Sequence, residues 1–318
     1  MGRFINPFTD VGFKRIFGQE ISKPVLIAFL NSLLIDERRI VDVTFLDKEK
    51  LGLYEGDRSL IYDIYCKTDT DESIIVEMQN TYQPFFKKRS IYYLSRSVVE
   101  QGERGAEWKY NIKSVYLVSF LNFKLNDISN ELRTDIALMD MKRKTVFSDD
   151  IRLIYLQLPY FTKEAEECVN DFERFIFILK HMDILQRMPW AAQDSVFMKL
   201  AEIAEVSALS KEERVKYDDS LRKFRDTLVV MEGQFMEGEA KGREEGREEG
   251  LAEGLAKGRE EGLAKGREEG REEGREEGLA KGREEGSLDI ARKMKAKGFS
   301  LEEIAELTGC PVTEIEKL

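Results

Sequence analysis

Apolar residues recur at two different spacings through the first half of the chain. Over residues 10–34 they follow the i, i+3, i+4 spacing of an amphipathic helix, which Pro24 is expected to break or restart. Beyond it, alternating or continuous apolar runs predict six strands, with a helix at 85–101 between the third and the fourth. The strands are predicted at 40–46, 60–67, 73–79, 113–123, 132–141 and 151–158. Strands and helices mixed within one unit predict an α/β fold, with a mixed sheet flanked by helices.

The distribution of aromatic residues separates this core from the rest of the chain. No tryptophan occurs after Trp190 and no tyrosine after Tyr217, so the residues able to build a large core lie in the first two thirds. We therefore predict four segments along the chain. They are a folded core at 1–160, a helical extension packed on it at 161–236, a low-complexity arm at 237–286 and a small helical tail at 287–318. The tail has the amphipathic spacing of a helix-turn-helix unit, with a capping-box start at Ser300.

The arm contains twelve consecutive four-residue units, each ending in glycine, over residues 239–286. Glycine costs about 1 kcal/mol relative to alanine in a helix, so twelve of them cost about 12 kcal/mol. The arm is therefore either a flexible charged spacer or a marginal helix that gains order by pairing with a second copy, as in a coiled coil. We favour the paired helix, and we predict a homo-oligomer formed through residues 237–318.

The net charge of −11 is not spread evenly along the chain. Residues 1–160 hold 23 Lys and Arg against 23 Asp and Glu, so all of the excess acid lies in 161–318. Because binding follows local charge, this distribution does not exclude a nucleic-acid partner for the neutral half.

Cysteine usage and hydropathy indicate the compartment. Cys66, Cys168 and Cys310 lie far apart without a CxxC pair, which predicts neither a disulfide framework nor a zinc site. No run approaches about 18 apolar residues, and the first residues lack the apolar region of a secretory signal. We therefore expect a cytoplasmic protein with no membrane partner.

Two of the predicted strands, at 60–67 and 73–79, carry the candidate chemistry. The polar run between them suits a hairpin loop, and a hairpin that is symmetric about Thr70 places Asp63 opposite Glu77, with Gln79 on the same side of the sheet. Two carboxylates on facing residues, whose Cβ atoms lie about 5 Å apart, repel each other, and an apolar setting makes the repulsion stronger. Mg²⁺ relieves that repulsion and can stabilise charge on a phosphoryl oxygen, so the pair predicts a metal site.

The alternative interpretation is that these acids lie on a solvated sheet face and have no role. The flanking residues Ile61, Ile64 and Ile75 are apolar, which favours central strands and argues against that interpretation.

The helix at 85–101 comes directly after the second strand and is basic, with tyrosines interleaved. Cations beside a carboxylate site suit the phosphate backbone of DNA, although a solubilising helix face would have the same composition. The candidate DNA-binding residues are Lys87, Lys88, Arg89 and Arg96.

Together these residues resemble the PD-(D/E)XK nuclease superfamily, and most of all its recombination-promoting nuclease (Rpn), or transposase, branch. The resemblance extends over about 1–235. Its motifs are the opening helix at 6–17, Tyr62-Asp63-Ile64, Val76-Glu77-Met78-Gln79, and Arg89 with Tyr92-Tyr93.

The resemblance implies a restriction-endonuclease-like core and assigns roles to several residues. Asp63 matches the first acid of the motif and Glu77 the second, while Gln79 stands where the parent motif has lysine. Gln cannot supply a positive charge, so Lys14 on the opening helix is a candidate for the missing cation.

The function that the resemblance implies is a Mg²⁺-dependent endonuclease, with Mn²⁺ as a possible substitute, acting on double-stranded DNA in recombination or transposition. Two alternatives stay open. One is a DNA-binding accessory protein on the same fold that has lost the chemistry. The other is an assembly protein whose main element is the arm.

Overall fold

The computed structural model describes residues 2–50, 59–103 and 108–318. The chain separates into two compact units, Met1–Gly233 and Gln234–Leu318. The strands, in chain order, are β1 (Val43–Phe45), β2 (Glu49–Lys50), β3 (Leu60–Ile61), β4 (Ile64–Thr68), β5 (Ser73–Gln79), β6 (Val115–Leu121), β7 (Arg133–Asp140) and β8 (Thr145–Gln157). The α-helices are α1 (Asp10–Phe17), α2 (Lys23–Leu33), α3 (Phe86–Val99), α4 (Asp171–His181), α5 (Ser195–Ala204), α6 (Lys211–Ala296), α7 (Leu301–Thr308) and α8 (Val312–Ile315).

Six strands form one mixed sheet in the order β1-β4-β5-β6-β8-β7. The β5–β6 and β6–β8 pairs are parallel, while β1–β4, β4–β5 and β7–β8 are antiparallel. Helix α3 connects β5 to β6, as a crossover between parallel neighbours requires. The predicted α/β fold with a mixed sheet flanked by helices is confirmed.

Side chains that alternate along the central strands supply a core on each face of the sheet. On one face, residues such as Val76 and Phe120 pack with the hydrophobic sides of α1, α2, α4 and α5. On the other face, residues such as Ile75 and Tyr155 pack against Phe86 and Leu94 of α3. A strand buried on both faces reads as a continuous apolar run, which explains the composition of β5 and β6.

The segment after the sheet belongs to the same core. The Phe175 ring of α4 lies 5.7 Å from that of Phe29 in α2 and 5.1 Å from that of Phe197 in α5. The backbone N–H of Asn6 donates to the Tyr217 hydroxyl of α6 at 2.8 Å. Residues up to Gly233 therefore pack with the sheet in one unit.

Two predicted elements are divided in the structure. The helix expected at 10–34 becomes α1, a short 3₁₀ turn at Glu20–Ser22 and α2, which restarts with proline in its first turn as the sequence predicted. The strand expected at 60–67 is interrupted at Tyr62 and Asp63, because β3 pairs with β2 in a separate ribbon and the Tyr62 N–H donates to the Lys48 carbonyl.

The second unit contains the end of α6 and a small helical cluster. Ser300 and Glu303 cap α7 reciprocally, and Gly309 ends it in the left-handed region at φ 71°. Ala291, Ile304, Cys310 and Ile315 form its core. In the arm, a Cβ added at any glycine of the repeat would meet nothing within 4 Å, so no contact with the described part of the chain requires these glycines.

Two remaining expectations concern cysteines and membranes. Cys66, Cys168 and Cys310 are free and buried. Within the described ranges, no helix combines the length and the apolar character needed to cross a bilayer.

Candidate functional site

The structure brings Asp63 and Glu77 together at the open end of the β4–β5 hairpin. Residue pairs Lys67–Ser73 through Ile64–Val76 have the register that is symmetric about Thr70. Asp63 lies in the bend just before β4, where its N–H donates to Glu77 Oε1 at 3.2 Å. Its own Oδ2 accepts from the Met78 N–H at 2.8 Å. The Asp63 N–H thus holds the Glu77 carboxylate and the Met78 N–H holds the Asp63 carboxylate, so the two acids are fixed next to each other.

The electrostatics of this pair are unfavourable without a compensating cation. Glu77 is only 4% exposed. Burial, and then the charge of Asp63, raise the pKa of the Glu77 carboxyl, although the Asp63 N–H and Arg89 oppose the rise. Burial likewise raises the pKa of Asp63, and the Met78 N–H and Lys14 offset this only in part. Such a pair gains from binding either a proton or a metal ion, and the acids do not lie on a solvated face.

Gln79 and Arg89 both contact the Oε2 oxygen of Glu77. Gln79 Nε2 donates to Glu77 Oε2 at 3.3 Å, and Arg89 Nη2 lies 3.5 Å from the same oxygen. Arg89 also donates to Gln83 Oε1 at 2.9 Å, which fixes the guanidinium beside the pair. Arg89, one of the four side chains that the sequence assigned to DNA binding, is therefore also a cation in contact with Glu77.

Helix α1 brings Lys14 to the other side of the site. Thr9 caps this helix by accepting from the Gly12 N–H at 3.0 Å, and a Cβ on Gly12 would lie 2.1 Å from the Asn6 carbonyl oxygen. Only glycine allows that close approach, which explains part of the opening motif. Lys14 pairs with Asp10, and the charges of both act on the pKa of Asp63.

Asp10 is a residue of the site that sequence reasoning missed. Its charge raises the pKa of Asp63, so it lies near the carboxylate pair. The available signal was its i, i+4 spacing to Lys14, which puts both side chains on one helix face.

The four basic residues of α3 do not act as one surface. Lys87 pairs with Asp127 at 2.5 Å, Lys88 is exposed, and Arg89 contacts Glu77. Arg96 lies about two turns further along, is 7% exposed and pairs with Glu100 at 3.5 Å. Of these four side chains, Arg89 therefore contacts the carboxylate pair, whereas Lys87 is paired with Asp127 and Arg96 lies within the packing of α3.

The carboxylate oxygens of Asp63 and Glu77 are ligands that fit Mg²⁺. The described ranges contain no group of three or more His, Cys, Asp and Glu side chains able to hold a metal, so Asp63 and Glu77 stand as a pair. Mg²⁺ is commonly bound by one or two carboxylates, its remaining ligands being waters and substrate phosphates. Ser119, the neighbour of Glu77 on β6, is buried, and its hydroxyl has no hydrogen-bond partner in the described chain. That hydroxyl could bond an ordered water.

Comparison with known proteins places this geometry in a family. The family model described as "PD-(D/E)XK nuclease family transposase" matches residues 7–234, which include every element of the sheet and both carboxylates. No curated protein and no solved structure matches the chain. Nucleases of this superfamily act on DNA and typically use divalent metal ions. The resemblance drawn from the sequence is thus confirmed, and the chain belongs to the PD-(D/E)XK nuclease family transposases.

Proposed function

We propose that the protein is a Mg²⁺-dependent endonuclease that hydrolyses phosphodiester bonds in double-stranded DNA during recombination or transposition, with Mn²⁺ able to replace Mg²⁺. Asp63 and Glu77 are the proposed metal ligands. The observation that carries the proposal is the pair itself, a buried Glu77 beside a half-buried Asp63, held by two backbone hydrogen bonds and flanked by Arg89 and Lys14. A cytoplasmic location belongs to the same proposal and agrees with the free cysteines.

The residues of this chain would divide the work of hydrolysis among them. When bound, the metal ion supplies positive charge for the phosphoryl oxygens. The Met78 N–H holds the Asp63 carboxylate in place, and the Asp63 N–H does the same for Glu77. Gln79 can accept a hydrogen bond from the attacking water through its amide oxygen while its Nε2 holds Glu77. The water oxygen bonds to phosphorus and gives up one proton to solvent, the P–O bond to one deoxyribose breaks, and the leaving oxygen takes up a proton from solvent.

The cations beside the pair are proposed to position the substrate. Arg89 presents a planar guanidinium to a phosphate and is joined by Lys87 and Lys88 at the start of α3. Lys14 lies on the Asp63 side, in the role proposed from the sequence for the cation that Gln79 cannot provide. Arg96 has no part in this proposal because it is buried.

The test of this function is nicking of supercoiled plasmid by the purified full-length protein. We expect relaxed and linear products in Mg²⁺ and in Mn²⁺, and none in EDTA. Plasmid that stays supercoiled in both metals while the protein still retards it in a gel would contradict the proposal. That result would instead support the alternative of a DNA-binding accessory protein.

Metal binding is expected to stabilise the fold through Asp63. At a concentration near 100 times its Kd, an ion that binds only the folded chain contributes about 2.7 kcal/mol, which raises Tm by roughly 5–10 °C for a domain of this size. Asp63→Asn should abolish the rise, whereas Asp71→Asn, at the turn of the same hairpin, should retain it. Calorimetry with and without Mg²⁺ measures this, and an equal rise in Asp63→Asn would remove the metal from the site.

Gln79→Lys is expected to keep or raise nicking activity, because it restores the cation of the parent motif beside Glu77. A lysine at this position would take over the contact of Gln79 with Glu77 Oε2. Initial rates on plasmid at saturating Mg²⁺ measure the effect. Gln79→Leu, which has similar volume and no polar atoms, is the matched control and should lose activity. A Gln79→Lys variant no more active than Gln79→Leu would show that Gln79 is used for its amide.

The accessory-protein alternative rests on one observation, which is the neutral Gln79 at the lysine position. Oligomerisation through residues 237–318 is a separate proposal. It is supported by the continuous helix α6 and by glycines that no described residue of the chain approaches closely.

A further inference from the structure

A groove of about 670 Å³ lies beside the carboxylate pair, against the first turns of α3. The residues that line it include Gln83, Phe85, Lys88, Arg89, Tyr92 and Tyr93. Its volume is within the range of about 300–1,000 Å³ that is usual for sites binding small organic groups. The proposed hydrolysis uses Lys88 and Arg89 of this groove to position a phosphate, and it gives the aromatic residues of the groove no role.

Two aromatic side chains of the groove are exposed. Phe85, at the start of α3, is 72% exposed, and Tyr92 is 42% exposed. Among the described residues, neither ring stacks on another aromatic ring. Tyr93, in contrast, packs edge-on against Tyr62 with the ring centroids 5.4 Å apart. Large rings left open to water in a groove mark a binding surface rather than a core.

The groove is also cationic, and its charge connects it to the candidate site. The Arg89 guanidinium lies 5.2 Å from the Tyr93 ring centroid on one side, and its Nη2 lies 3.5 Å from Glu77 Oε2 on the other. Lys88 is exposed and forms no ion pair with any described residue. A ligand that carries a flat ring and a phosphate would therefore find both contacts here, with its phosphate toward Asp63 and Glu77.

We propose that this groove binds an unpaired base of the DNA, so that the protein acts at single-stranded gaps, flaps or opened base pairs rather than within intact duplex. In a duplex, each base is covered on both faces by its neighbours, and an exposed side chain cannot stack on it. Phe85 and Tyr92 can stack only on a base that has left the helix, while Lys88 and Arg89 hold the adjoining phosphates. This inference rests on the proposed function and narrows its substrate.

The experiment measures binding of full-length protein in EDTA, where no cleavage is expected. The probes are a fluorescent oligothymidine of about 12 nucleotides and a duplex of equal length, since single-strand sites typically cover about 4–16 nucleotides. Phe85→Ala and Tyr92→Ala are each expected to weaken oligothymidine binding by about tenfold and duplex binding by less than about twofold. Tyr92→Phe keeps the ring and should bind like wild type.

Ile91→Ala is the matched control, because Ile91 is 55% exposed on the same helix and does not line the groove. It should leave both affinities unchanged. Equal losses for oligothymidine and duplex, or an equal loss in Ile91→Ala, would overturn the proposal. Since Phe85 and Tyr92 are exposed, their variants should have the same Tm as wild type. A fall in Tm in both variants would also count against a binding role.

The groove and the nuclease function can fail separately. If plasmid is never nicked but oligothymidine binding falls as expected, the groove assignment stands and the proposed hydrolysis is wrong. If plasmid is nicked in Mg²⁺ while the groove variants bind both probes like wild type, the hydrolysis stands and the inference about unpaired bases is wrong.

Discussion

Asp63→Asn and Glu77→Gln are each expected to reduce plasmid nicking by roughly 1,000-fold or more, while DNA binding is retained or improves. Both substitutions keep side-chain shape and remove one of two facing negative charges. The lost metal contact is worth several kcal/mol in the transition state, and a tenfold change in rate corresponds to about 1.4 kcal/mol. Binding should not suffer, because a negative charge beside the phosphate path is removed. Initial nicking rates and a gel-shift titration measure the two effects.

The control for this prediction is Asp71→Asn, which makes the same chemical change on the same hairpin. Asp71 has φ 66°, a left-handed conformation that asparagine also adopts readily, so the substitution should leave folding and activity unchanged. Both site variants should melt at or above wild type in EDTA, since burial raises the pKa values of both carboxyls and the charge of Asp63 adds to the rise for Glu77. Undiminished nicking by Glu77→Gln would show that Glu77 has no part in the reaction.

Deletion of residues 237–318 is expected to leave a folded, active domain with a lower oligomeric state. The unit Met1–Gly233 contains the sheet and both faces of its core, including the aromatic contacts of α4 and α5. The deleted arm is a helix with one glycine in every four residues, at a cost of about 12 kcal/mol, and i, i+4 ion pairs such as Arg243–Glu239 return only a few tenths of a kcal/mol each. A partner must offset that cost. Light scattering on both forms measures the change.

A second variant tests whether the glycines are used for close approach between helices. Gly242→Ala, Gly258→Ala and Gly274→Ala together place methyl groups where the chain itself has open space. In a lone helix they should raise helicity by circular dichroism and change nothing else. In a paired arm they should also lower the oligomeric state. If the full-length protein and the truncated form both run as monomers at tens of micromolar, the arm is a spacer. If both run as the same dimer, the interface lies within 1–236.

Local pattern was sufficient for the part of the site that depends on one hairpin. The polar run around Thr70 predicted the symmetric register that runs from Lys67–Ser73 to Ile64–Val76, and Asp63 and Glu77 are the next residues on each side. The same short-range information predicted β5 over its full length and the restart of the helix at Pro24. Turn chemistry, side-chain alternation and proline geometry act over a few residues, so they can be seen in the sequence.

Contacts between distant segments account for the rest. Nothing local indicates that Arg89 reaches Glu77, that Asp10 and Lys14 lie near Asp63, or that Arg96 is buried. These positions result from how α1 and α3 pack on opposite faces of the sheet. The break at Tyr62 and Asp63 has the same origin, because β3 pairs with β2 instead of continuing β4. Short-range pattern thus indicates which acids face each other. Three-dimensional packing determines which cations and rings surround them, because helix packing depends on surfaces formed by residues far apart in the chain.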